Sequence, residues 1–141
     1  MTRRAEECAS REFPATMEGL AAAAGFLDGI VGEAGLAAMP FAGKFGVILD
    51  ELGSNVVRHS KAKTFSVAAE PLGGGRLRLR ISDDGAPYDP FSRPDPDITL
   101  PAGERPVGGL GVFMVKNLAE STEYVRENGR NTTTAVACAA G

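Results

Sequence analysis

The feature that most restricts the fold is a pair of short glycine turns, each between two runs of alternating apolar residues. Gly73–Gly75 separates "TFSVAAEPL" from "RLRLRIS", and Asn128–Gly129 separates "TEYVRE" from "RNTTTAVACA". Glycine and Asn-Gly pairs readily adopt the backbone angles that tight hairpin turns require. The sequence therefore predicts two antiparallel hairpins, whose strands must bury at least one face of a sheet.

Three helices are predicted around these hairpins. A short extended segment is followed by an Ala-rich helix over residues 17 to about 32, with Thr16 as its N-cap. A second helix is expected to open at Pro40 and to run to about residue 60, because proline is tolerated in a first turn. A proline-rich loop over residues 86–107 then leads into a third helix. The expected fold class is α+β, a two-layer sandwich with a mostly antiparallel, mixed sheet and helices on one face.

Length and composition limit the function classes. The 141 residues fit one domain, 1–141, with its core over about 10–138, and they include 43% hydrophobic and 23% charged residues. The net charge is −3 with no dense Lys/Arg patch, so we expect no nucleic-acid partner. No run is long enough to cross a membrane, and one His with two distant Cys gives no zinc site. Free Cys8 and Cys138 in a reducing cytoplasm are favoured, although the sequence leaves a bridge between them open.

A stripe of polar residues runs along the second helix. Glu51, Asn55 and His59 recur every four residues and border the apolar strip that includes Leu52 and Val56. A carboxylate and an amide oxygen at the margin of a buried face can hold Mg²⁺ and orient a nucleophile. A solvated helix face would give the same pattern.

Two further motifs follow. Asp83 ends an apolar strand, and Gly85 comes two residues later, so a carboxylate can meet an exocyclic amine where a flat ring has room to approach. An ordinary Asp-Gly turn is the alternative. Gly108, Gly109 and Gly111 precede the third helix, whose unshielded amides could bind phosphate, and a flexible hinge would look the same.

In their order and spacing, these motifs resemble the N-box, G1 box and G2 box of the GHKL superfamily of ATP-binding domains, which have the Bergerat fold. More narrowly, "DDGAPYDP" and "GGLGVFMVKNLAESTEYVRENGRNTT" are similar to the RsbW-like serine/threonine kinases that act as anti-sigma factors. The similarity covers about residues 10 to 138. Tyr88 stands where the family usually has Phe, and Glu120-Ser121-Thr122 stands where it tends to have Asp-Glu-Val.

The resemblance implies roles for the N-box and for the loop before the third helix. Glu51 would be the general base that accepts a proton from an attacking hydroxyl group. Asn55 would ligate Mg²⁺ that bridges the phosphates of ATP. His59 would be a possible neighbour of the nucleotide, and Arg105 would reach the phosphates or the partner protein.

The resemblance also implies where the base and the phosphates of ATP would lie. Asp83 would read the adenine amine, with Gly85 and Pro87 of the same motif beside it. Thr133 would bond near the adenine, although Thr132 could take that place. The backbone amides that meet the phosphates would come from Gly108, Gly109, Leu110 and Gly111.

The implied function is an ATP- and Mg²⁺-dependent protein kinase of a partner-switching system. It would phosphorylate a Ser or Thr of a STAS-type anti-sigma factor antagonist and otherwise sequester a sigma factor or another target, as a cytoplasmic homodimer. One alternative is a nucleotide-binding sequestration module with little or no kinase activity. Another is the detached ATP-binding domain of a histidine kinase, which the short "PYDPF" segment disfavours.

Overall fold

The computed structural model describes residues 8–92, 99 and 110–141. A five-stranded sheet is covered by helices. The elements in chain order are β1 Ala9–Pro14, α1 Met17–Glu33, α2 Gly43–Asn55, a π-helical segment Val56–Ser60, β2 Thr64–Gly73, β3 Arg76–Asp83, α3 Leu110–Leu118, β4 Ser121–Glu127 and β5 Arg130–Cys138.

The sheet has the strand order β1-β2-β3-β5-β4, and all of its pairings are antiparallel. Both predicted hairpins are confirmed. The three glycines at 73–75 have positive φ angles, as do Asn128 (54°) and Gly129 (74°) at the second turn. These turn residues favour the tight hairpins that bring β3 beside β2, and β5 beside β4. The prediction of an α+β sandwich is thus confirmed, with a sheet that is antiparallel throughout the described strands.

Alternate residues of the central strands form the core with the helices. On β2 and β3, Phe65, Val67, Leu79 and Ile81 are at most 2% exposed, whereas their neighbours along each strand are more exposed. The buried helix residues of the same core cluster include Leu20, Leu27, Phe45, Ile48, Leu49, Leu52 and Val115. This period of two gives the sheet one covered face and one open face.

The start of α1 follows the prediction, and the start of α2 does not. Thr16 Oγ1 accepts a hydrogen bond of 3.0 Å from Gly19 N, which confirms the N-cap. Pro40 lies in a turn, and α2 begins three residues later, at Gly43. The reason is a tertiary contact, because Phe41 N donates to Ala139 O at 2.8 Å and ties this segment to the end of β5.

The end of α2 changes its helical type. After Asn55, the residues Val56–Ser60 form a π-helical turn, which stops at Lys61 in the left-handed region (φ 60°). Such turns contain an extra residue and often occur at functional sites. The polar stripe expected for an α-helix therefore does not continue to His59.

Two simpler expectations can be compared with the structure. Cys8 and Cys138 are both free thiols. Among the described residues, no helix is both long enough and apolar enough to span a bilayer.

Candidate functional site

The side chain of Glu51 on α2 lies against the first turn of α3. A methyl group built on Gly111 would be 1.9 Å from Glu51 Oε2 and 2.6 Å from its Cδ. Gly111 therefore leaves the space that the carboxylate fills. The predicted base and one of the predicted phosphate-binding glycines are in contact across the gap between the two helices.

Asn55 lies one turn further along α2 and is buried, with 8% of its surface exposed. Its Oδ1 accepts a hydrogen bond of 3.2 Å from Arg58 Nη2. Ser54 Oγ is 3.4 Å from the same nitrogen. A guanidinium group thus stands beside the oxygen that was predicted to meet Mg²⁺.

Asp83 and Gly85 form a tight turn at the end of β3. Asp83 is 2% exposed, and its Oδ1 accepts a hydrogen bond of 2.8 Å from Gly85 N. A methyl group on Gly85 would be 2.0 Å from Ser60 O, the same oxygen that accepts a bond of 2.7 Å from Ala86 N. Close packing against the π-helical turn is therefore sufficient to explain a glycine at this position.

Asn131 on β5 connects the groups around Asp83. It is 3% exposed, and its Nδ2 donates to Asp83 Oδ1 at 3.1 Å and to Ala86 O at 2.8 Å. Its Oδ1 accepts hydrogen bonds from Tyr124 Oη and, at 3.4 Å, from Tyr88 N. The antiparallel register brings this contact about, because Asp83 and Asn131 are direct cross-strand partners.

These residues enclose a small cavity. Its open volume is about 10 Å³, and its walls comprise Leu52, Asn55, Val56, Ser60, Asp83, Tyr88, Pro90, Asn131 and Thr133. Ligand pockets usually have about 300–1,000 Å³, so this cavity is too small for a nucleotide. Tyr88 and Pro90 supply the wall that belongs to the loop after β3.

The structure distinguishes the two candidate threonines by their position on β5. Thr133 is 8% exposed and lies in the cavity wall. Thr132 has the opposite orientation, and its Oγ1 is 3.4 Å from Ser82 Oγ on the open face of the sheet. Thr133 is therefore the one that shares a face with Asp83.

His59 and the loop after β3 form the rim of the cavity. The rings of His59 and Tyr88 are stacked, with their centroids 4.9 Å apart and their planes at 21°. Arg126 on β4 donates from Nη1 to Gly85 O at 2.7 Å. Pro87 is exposed and outside the cavity wall, where Pro90 lies instead.

Some predicted residues cannot be placed. Arg105, Gly108 and Gly109 lie outside the described residues, and Leu110 is described only as the first residue of α3. A more open depression of about 610 Å³ lies on the open face of the sheet, beside Arg80 and Thr134, and Thr132, the alternative to Thr133, is the one predicted site residue among its described walls.

Comparison with known proteins identifies the family. The sequence model of the histidine kinase-like ATPase domain matches residues 13–137. The chain belongs to this family. No curated protein sequence matches the chain at a significant level.

A solved structure has the same fold. The crystal structure of the RsbU and RsbW domains of Rv1364c from Mycobacterium tuberculosis superposes with a TM-score of 0.63 at 17% sequence identity. The match covers 94% of this chain and 32% of that one, so our chain spans about a third of its length. The predicted histidine kinase-like ATP-binding fold is thereby confirmed, and the family implies ATP as the ligand.

Several residues that were predicted to form the ATP site lie together at this cavity. Asn55, Asp83 and Thr133, predicted from separate motifs, lie in one wall, and Glu51 lies against α3 beside it. Sequence reasoning missed Asn131, Tyr124 and Arg58. The pairing of β3 with β5 could have indicated Asn131, because the two hairpins place residue 131 opposite Asp83 if the sheet order is known.

Proposed function

We propose that this chain is an anti-sigma factor serine/threonine kinase of a partner-switching system. It would transfer the γ-phosphate of ATP to a Ser or Thr of a STAS-type antagonist and sequester a sigma factor or an equivalent target. The observation that carries the proposal is the contact of the Glu51 carboxylate with Gly111 at the start of α3, one helical turn from buried Asn55.

The residues suit a nucleotide with its metal ion. No cluster of three or more His, Cys, Asp or Glu in the described part of the chain could hold a metal alone. Mg²⁺ commonly takes only one or two protein ligands and completes its shell with phosphate oxygens and water. Asn55 Oδ1 fits such a single ligand if Arg58 moves from it to a phosphate group. When bound, Mg²⁺ would neutralise charge on the phosphates.

The other parts of the proposed reaction depend on residues of this chain. Phosphoryl transfer depends mainly on positioning and on electrostatic stabilisation. The amides at the start of α3 would bind phosphate oxygens, and the acceptor hydroxyl would enter beside Glu51, which takes up its proton. Asp83 would accept a hydrogen bond from the adenine amine. Because the cavity is too small for a base, the part of its wall formed by Tyr88 and Pro90 would have to move before a base could enter.

The test is transfer of labelled phosphate from ATP to the antagonist in magnesium buffer. Glu51→Gln should lower the transfer rate by about 10²–10⁴-fold, as is typical when a general base is lost. Asp50→Asn makes the same chemical change one residue earlier, on an exposed position of α2, and should leave the rate unchanged. Equal rates for Glu51→Gln and the wild type would rule out the assigned base.

A second candidate is a sequestration module that binds nucleotide but transfers little phosphate. The hydrogen bond from Arg58 to Asn55 favours it, because the cation stands where Mg²⁺ would bind. It predicts ATP-dependent retention of partner proteins with no labelled antagonist. A pull-down with and without ATP, combined with phosphosite mapping and with sedimentation to test for the proposed homodimer, separates the two candidates.

A further inference from the structure

Asn131 is a buried polar residue to which the proposed function gives no role. Its amide uses all four hydrogen-bonding positions, two as a donor and two as an acceptor. Two backbone groups fix its orientation, because Ala86 O must face the NH₂ group and Tyr88 N must face the oxygen. If the amide were flipped, its NH₂ group would face the N–H of Tyr88 and its oxygen would face Ala86 O, and neither pair could form a hydrogen bond.

This fixed orientation of Asn131 determines how the Asp83 carboxylate is held. Its Oδ1 accepts from Gly85 N and from Asn131 Nδ2, whereas within the described residues no group donates to Oδ2. No fully buried side-chain oxygen or nitrogen of those residues lacks a partner. Asp83 lies in the cavity wall, where Oδ2 can meet a ligand. One oxygen is fixed to the protein, and the other is left for a donor on a ligand.

We propose that Asn131 is a positioning residue that fixes the Asp83 carboxylate and thereby selects a nucleobase carrying an exocyclic amino group. An ionised carboxylate only accepts hydrogen bonds. It pairs with the 6-amino group of adenine and opposes the 6-oxo group of hypoxanthine, which is also an acceptor. The inference rests on the proposed function, because it requires that ATP binds in this cavity.

The test compares the affinities for ATP and inosine triphosphate, measured by calorimetry in magnesium buffer. Asn131→Asp replaces the donating NH₂ group by a second carboxylate beside Asp83. At pH 8 it should weaken ATP binding at least about tenfold, as expected for a lost charge-assisted hydrogen bond, and should change inosine triphosphate binding much less. Asn128→Asp is the matched control, since it makes the same change at the turn of the same hairpin.

The pH profile separates positioning from a merely structural role. Two adjacent carboxylates share a proton, which raises the apparent pKa of the pair. As the pH falls towards 5.5, the shared proton should replace the lost donor, and ATP affinity of Asn131→Asp should recover. The other groups near residue 131 are Tyr124, Tyr88 with its stacked His59, and Arg126 on Gly85 O. All of these groups are also present in the control, which is measured over the same pH range.

Tyr124→Phe provides a milder variant that conserves the size of the side chain. It removes one donor to Asn131 Oδ1 and should lower the ATP preference about threefold, within the range for one neutral hydrogen bond. If circular dichroism shows that Asn131→Asp is unfolded, Tyr124→Phe alone tests the inference. An ATP preference unchanged in every folded variant overturns the inference and leaves the proposed function intact. A wild type that binds neither nucleotide overturns both.

Discussion

Replacing Gly85 by alanine tests whether this glycine serves the packing of the fold. Gly85 does not have a positive φ, so its backbone would accept an alanine. The obstacle is the neighbouring chain, because the new methyl carbon would lie 2.0 Å from Ser60 O, 2.7 Å from Ser60 C and 2.9 Å from Ser60 Cβ. These atoms belong to the π-helical turn and cannot rotate away as a long side chain can.

The size of the effect follows from the contacts that must change. Relieving the clash requires a shift of about 1 Å, and overpacking of this kind costs about 1–3 kcal/mol. The shift also breaks the 2.7 Å bond between Ala86 N and Ser60 O, which contributes about 1 kcal/mol. The expected loss in the free energy of unfolding is therefore about 2–4 kcal/mol. For a chain of 141 residues, this corresponds to a fall in Tm of about 7–13 °C.

The assay is thermal unfolding followed by circular dichroism without nucleotide, so that any effect on binding is excluded. Gly46→Ala is the matched control, since a methyl group on this glycine of α2 would meet no atom within 4 Å. If Gly85→Ala melts within about 2 °C of the wild type, Ser60 does not restrict this position. The glycine would then be explained better by space for a ligand.

Three further predictions use the same measurements and the kinase assay. Gly46→Ala should raise the free energy of unfolding by up to about 1 kcal/mol, because alanine favours a helix more than glycine does; a fall would show that α2 needs flexibility there. Gly111→Ala should melt near the wild type, because the three atoms nearest to its methyl group all belong to the end of the Glu51 side chain, which can rotate away. It should nevertheless slow phosphate transfer at least about tenfold by displacing the proposed base. A normal transfer rate would contradict the contact seen here. Phe65→Ala, at a position with no exposed surface, should cost about 3–5 kcal/mol in urea unfolding, and a cost below about 1 kcal/mol would argue against a core at β2.

The fold could be predicted largely from local patterns. Both hairpins follow from turn residues and alternating strands, and the start of α1 follows from Thr16 as an N-cap. The predicted start of α2 at Pro40 was wrong, because Phe41 N donates a hydrogen bond to a distant backbone oxygen, that of Ala139. A proline's preference for a first helical turn is weaker than this tertiary contact.

The candidate site was predictable where its residues come from short motifs. Asp83 and Asn55 share a cavity wall as the motifs implied, although their functional roles stay predictions. Asn131 could not be found in this way, because its importance arises from the pairing of two strands far apart in sequence. His59 illustrates a second limit of prediction from the sequence. The polar stripe was expected for a continuous α-helix, but the helix changes to the π type before His59.

The π-helical turn at Val56–Ser60 has a consequence for how related chains should be compared. Since this turn contains one residue more than an α-helical turn needs, its length sets where Ser60 O meets Gly85. A relative that is one residue shorter here would have a regular helix and a differently placed loop after β3, even with every named side chain present. A single gap in an alignment at this point would therefore mark a change in how this loop packs against the helix.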